Sequence, residues 1–137
     1  MTIKEISIFV QNKKGKLSAI SKLLGEENIH IRGFTMADTA EGYGIFRLVV
    51  DYNEKAKRIL KENHYTVSDD DVLGIKIPDQ AGALSQVLDL LSNNGMNVEY
   101  LYIAANSFLI MKVDDALKAE KILLAQGHKV IENTLEI

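Results

Sequence analysis

Apolar residues along the chain change their spacing in a regular order. Ile6, Ile8 and Val10 alternate with Glu5, Ser7 and Gln11, the period of two that a half-buried strand needs. Leu17, Ile20, Leu23 and Leu24 then recur at helical spacing. Ile29, Ile31 and Phe34 predict a second strand, and "IFRLVV", Ile45 to Val50, a third. Ala56, Ile59 and Leu60 mark a second helix, with "YTV" as a short last strand. The order then begins again: "VLGIKI", a helix over 82–93, "MNVEYLYIA", "SFLIMKV", a helix over 115–126, and "KVIENTLEI" as the closing strand.

The two halves also match residue by residue. Gly15 falls on Gly82, 67 positions on, and at that offset Leu17 meets Leu84, Ser18 meets Ser85, Ile20 meets Val87, and Ile29 and Ile31 meet Met96 and Val98. After a loop four residues shorter, Val50-Asp51 meets Val113-Asp114, Ala56 meets Ala119, and Ile59-Leu60 meets Ile122-Leu123. Such a repeat decides the fold class before any single element does. Each half reads βαββαβ, so the expected fold is α+β: two ferredoxin-like units with antiparallel four-stranded sheets, both helices on one face. The expected domains are residues 1–68 and 69–137, joined by "SDDDVLG" as a solvated linker. The third strands are apolar at nearly every position, more than a sheet with one wet face requires. A unit this short buries only ~60% of its unfolded surface. Both points predict that the repeats pack against each other or that the protein forms a homodimer.

Composition narrows the function. The 137 residues are 47% hydrophobic and 26% charged with a net charge of −3, a balance that fits a globular protein and lacks the basic excess of a phosphate-backbone binder. The absence of cysteine excludes disulfides, zinc knuckles and thiol nucleophiles. The charged, alternating N-terminus is no signal peptide, and no apolar run approaches the ~18 residues of a membrane helix. The expected location is the cytoplasm, away from membranes. The acidic run Asp69 to Asp71 lacks calcium-loop spacing. His30, His64 and His128 lack a metal-ligand spacing, and the last two fall near helix ends, where a partly cationic ring suits the dipole. No nucleophile with a base, phosphate loop or carboxylate pair stands out, so neither catalysis nor a cofactor is expected.

Two families share this topology. "IFVQN" and "EGYGIFRL" resemble the first and third strands of an RNA-recognition motif, in which Phe9 and Tyr43 would stack bases. Against that, Glu41 replaces the basic residue, Ile45 and Leu48 replace aromatics, and Lys76 stands where Phe9 stood. Gly42 and Gly44 read more simply as hairpin glycines that supply φ > 0. Asn12, Gly15, Leu17 and "NIHI" in the first repeat, and "IPDQAGALSQVLDLLSNNGMNV" in the second, resemble the signature of the ACT domain over essentially the whole chain. Proteins made only of two ACT domains are a similar type. The first repeat departs from the pattern with Asn12 in place of Asp, Lys13-Lys14 where a proline is frequent, and His30 where the second has Asn97.

The resemblance implies a non-catalytic sensor for a small molecule, an amino acid, held between ACT units and regulating an enzyme or transporter in trans. It places ligand contacts at Asn12, Lys13, Lys14, Gly15, Lys16 and Leu17 with Asn28, Ile29, His30 and Ile31, and at Asp79, Gln80, Ala81, Gly82, Ala83 and Leu84 with Met96, Asn97 and Val98. The chemistry is coherent. A carboxylate suits the unpaired N–H groups where a helix begins, glycine admits close approach, and Asp79 suits an ammonium. Plainer roles compete: Leu17 and Leu84 as core, Gly15 and Gly82 as turn residues, Asp79 as a helix cap, His30 and Asn97 as loop anchors, Tyr100 and Tyr102 as packing. An RNA-binding module and a structural dimer with no ligand are the alternatives.

Overall fold

The computed structural model describes residues 2–137. Two compact units emerge, residues 4–70 and residues 71–137, the latter joined by Thr2 and Ile3. The first comprises β1 (Ile3–Gln11), α1 (Lys16–Glu26), β2 (Ile31–Asp38), β3 (Tyr43–Val50), α2 (Asn53–Glu62) and the first half of β4 (Thr66–Lys76). The rest of β4, α3 (Ala83–Asn93), β5 (Val98–Ile103), β6 (Phe108–Val113), α4 (Ala116–Ala125) and β7 (Lys129–Val130) build the second. The strand order is β2-β3-β1-β4 in the first unit; in the second β5-β6-β4, with β7 on the free side of β4. β2, β3 and β1 pair antiparallel, as do β5, β6, β4 and β7. This is the βαββαβ pattern, twice.

In each unit the helix pair packs on one sheet face. Ile6, Ile8 and Val10 of β1 and Phe46, Leu48 and Val50 of β3 meet Ile20 and Leu24 of α1 and Ile59 and Leu60 of α2. The second core repeats the plan with Leu73, Ile75, Leu109, Met111 and Val113 under Val87, Leu91 and Leu123. The opposite face of the second sheet is also covered in part. Gly74 lies across from Ile110, and Ile131 of the C-terminal segment sits directly over it.

Two sequence expectations need correction. "SDDDVLG" is not a linker, because it lies inside the 11-residue strand β4. Each aspartate has a reason to stay in the strand. Lys57 Nζ donates to Asp69, Ser7 Oγ donates to Asp70 at 3.5 Å, and Thr2 Oγ1 to Asp71 at 3.2 Å. The Asp69 bond holds the Lys57 ammonium above its ordinary pKa, against the opposing effect of burial. The closing strand is also far shorter than "KVIENTLEI" suggests. β7 covers Lys129–Val130, and Thr134–Glu136 forms a 3-10 turn. Its cause is a capping box: Asn133 Oδ1 accepts the Leu135 N–H at 2.8 Å while Glu136 Oε2 accepts the Asn133 N–H at 3.1 Å.

All four helices stop in the same way. A residue of positive φ follows the C-cap, namely Asn28 (59°), His64 (66°), Gly95 (73°) and Gly127 (83°), and the next N–H turns back to the helix. These backward bonds are Ile29 to Leu24, Tyr65 to Leu60, Met96 to Leu91 and His128 to Leu123, at 2.9–3.1 Å. His64 therefore occupies a glycine slot, which matters more to the backbone than its charge does to the dipole. His64→Gly is expected to stabilise the protein by about 0.5–1 kcal/mol, since left-handed backbone penalises any Cβ. Urea unfolding midpoints of the two proteins measure this.

Candidate functional site

The two loops that enter α1 and α3 have the same backbone. Gly15 (φ 87°, ψ −9°) and Gly82 (φ 87°, ψ −10°) are the N-cap residues, and no side chain caps either helix. Lys13 N–H bonds Gln11 O as Gln80 N–H bonds Pro78 O, both at 2.9 Å. Lys16 N–H reaches Lys13 O as Ala83 N–H reaches Gln80 O, both at 3.2 Å. A Cβ at either glycine would meet open space, so the positive φ alone accounts for glycine there. Asp79 is exposed and is not the cap; Gly82 holds that position.

Exposure separates the other sequence candidates. Asn12, Lys13, Lys14, Gly15 and Lys16 are exposed, as are Gln80, Ala81 and Leu84. Leu17, Ile31 and Val98 are half-buried. Ile29 and Met96 are core residues, and Ala83 is buried. Asn28 ends α1. His30 and Asn97 are held through their backbones. Asp51 Oδ1 accepts the His30 N–H at 3.0 Å, and Asp114 Oδ1 accepts the Asn97 N–H at 3.1 Å. The return bonds, Asp51 N–H to His30 O and Asp114 N–H to Asn97 O, are both 3.2 Å. The His30 ring meets the Arg32 guanidinium at 2.9 Å and leaves its backbone clamp unaffected.

The structure brings one set of candidates together. Between the first turns of α1 and strand β2 lies an open groove of about 590 Å³. Leu17, Ser18 and Ser21 form its helix side, Ile31, Phe34, Thr35 and Met36 its strand side, and Phe46 completes it. Phe34 is 63% exposed and meets Phe46 edge to face at 6.3 Å. Leu17 and Ile31 were legible as candidates; Ser18, Ser21, Phe34, Thr35, Met36 and Phe46 were not. The signal for Phe34 and Met36 lay in the repeat, because they align with Leu101 and Ile103, which also lie on an edge strand and are exposed as Phe34 is.

Phe9 and Tyr43, the pair an RNA-binding surface would use, do stand near each other. Phe9 pairs with Ile45 and Gln11 with Tyr43, on the face opposite the helices, and both rings are about half exposed. Arg47, next on that face of β3, is drawn to the buried carboxylate of Glu5, 3.9 Å away. Gly42 has the positive φ of a turn glycine; Gly44 does not, and instead leaves room for the Met36 methyl group.

A family model described as an ACT domain pair matches residues 1–136. The chain belongs to the ACT domain pair family. No curated protein matches it. Among solved structures, this ACT pair is similar to protein BT0572 from Bacteroides thetaiotaomicron, at 34% identity over 96% of this chain and 92% of that one, with a TM-score of 0.89. It shares its fold with the regulatory subunit of aspartate kinase from Thermus thermophilus, at 14% identity over 90% and 89% of the two chains and a TM-score of 0.64. The aspartokinase alpha and beta subunits are similar to the same degree, at 16% identity over 89% and 90% and a TM-score of 0.63.

Proposed function

We propose that this ACT pair is a non-catalytic regulatory protein that binds an amino acid and acts on a partner enzyme or transporter in trans. One observation carries the reading: an uncapped helix N-terminus opens onto an apolar groove inside a single ACT unit. Leu17 and Ser18 line that groove and also belong to the first turn of α1, where N–H groups lack intrahelical partners and the helix dipole favours an anion. A ligand carboxylate at that turn would leave its side chain along Ile31, Phe34 and Met36. The likeness to a chain described as a regulatory subunit supports the regulatory role.

The groove is open along β2, an edge strand with an exposed phenylalanine. A second copy is proposed to close it, which makes the protein a homodimer and gives the ligand two states to discriminate. A ligand shifts an equilibrium only through its differential affinity for those states. The proposed location is the cytoplasm; no helix among the described residues is long and apolar enough to cross a membrane.

A thermal-shift screen against the twenty amino acids tests the proposal. Ligand at 100 times its Kd adds about 2.7 kcal/mol to the folded state, which raises the melting temperature by several degrees. No shift with any amino acid, together with salt-sensitive binding to single-stranded RNA, would overturn the reading.

A further inference from the structure

We infer that the first unit alone holds the ligand, and that its groove selects amino acids with apolar side chains over charged ones. The inference rests on the amino-acid-binding reading above and adds a location and a ligand class to it.

Selectivity follows from the walls. The groove residues are aliphatic, aromatic, thioether or hydroxyl, and none is charged. A lysine or aspartate side chain laid against Phe34, Met36 and Phe46 would give up hydration without gaining a counter-charge. The hydroxyls of Ser18, Ser21 and Thr35 offer neutral hydrogen bonds only. At about 590 Å³ the groove falls within the range of small-molecule sites and has room for a bulky side chain.

Location follows from comparing the repeats. Strand register makes them equivalent: Phe34 pairs with Leu48 as Leu101 pairs with Met111, and Met36 with Phe46 as Ile103 with Leu109. In this frame Ser21, exposed on α1, corresponds to Leu88, half-buried on α3 and packed on the second core. A leucine takes up more of the volume between helix and edge strand than a serine does. Charge separates the repeats in the same sense. The loop entering α1 carries Lys13, Lys14 and Lys16, which favour a carboxylate nearby, whereas the loop entering α3 carries Asp79 and no lysine.

The test is calorimetric titration of the full-length protein with L-leucine, L-methionine and L-phenylalanine, and with L-lysine, L-arginine, L-aspartate and L-glutamate. At least one apolar amino acid is expected to bind about 100-fold more tightly than any charged one. Ser21→Leu, which copies Leu88, is expected to weaken that binding at least about tenfold by occupying the groove. Phe34→Ala, at a largely exposed position that folding tolerates, is expected to weaken it similarly. Asp79→Ala should leave it unchanged. Tighter binding of a charged amino acid would overturn the selectivity while the amino-acid-binding reading stood. Loss of affinity in Asp79→Ala, with Ser21→Leu and Phe34→Ala binding normally, would overturn the location. If none of these amino acids binds, the inference fails, and the thermal-shift screen of all twenty decides whether the reading beneath it stands.

Discussion

Gly74→Val is expected to destabilise the protein by about 3 kcal/mol and to lower the urea midpoint without altering its slope. Gly74 is buried in β4, where its φ is ordinary, so backbone freedom is not the reason for glycine. The reason is space. A Cβ there would stand 2.6 Å from Ile131 Cγ1 and 3.2 Å from Ile3 Cδ1. Ile131 is stiff at χ1, and its own N–H is tied to Gly74 O at 2.8 Å, so it cannot retreat without breaking the bond that docks the C-terminal segment. Gly44 gives the contrast. A Cβ there would run into the Met36 methyl group, but that methyl is the tip of a flexible chain and can swing aside. Gly44→Ala should cost much less. Equal losses at the two glycines would show that the Ile131 contact does not govern the packing.

Asp51→Ala is expected to cost about 1–2 kcal/mol and to speed hydrogen exchange at the His30 amide. One carboxylate oxygen accepts two backbone N–H groups, from His30 at 3.0 Å and Tyr52 at 2.9 Å. It thereby fastens the start of β2 to the start of α2, and Ile31, on the groove wall, comes directly after the clamp. Both N–H groups are near solvent, so water recovers part of the loss. Asp114 repeats the clamp on Asn97, and Asp114→Ala should cost less if the second N–H is the difference. A neutral Asp51→Ala, with the His30 amide exchanging as before, would remove the carboxylate from the account of β2.

Much of this architecture was legible because it is written twice. A period of two followed by a period of 3.6, repeated with Gly15 on Gly82 and Asp51 on Asp114, leaves few folds available. Chemical role was less legible than position. Asp51 and Asp114 matched in sequence, but only the folded chain shows them holding the backbones of His30 and Asn97. Asn28 and His64 read in the sequence as a ligand contact and a helix-end charge; the folded chain adds that both take the left-handed backbone that Gly95 and Gly127 take. "SDDD" reads as a solvated linker because its partners, Lys57, Ser7 and Thr2, lie far away in sequence.

The sequence by itself determined the α+β repeat, the four helices, the glycine turns ahead of α1 and α3, and the apolar faces that become the two cores. Those features depend on local backbone preference and on spacing within one element, and both are present in a linear string. The tertiary structure alone decided that Ser21 and Phe34 share a groove, that Leu88 packs on the second core, and that Ile131 forbids a side chain at Gly74. Each of those depends on how much volume remains between elements distant along the chain, and packing creates that volume only once the sheets and helices have met.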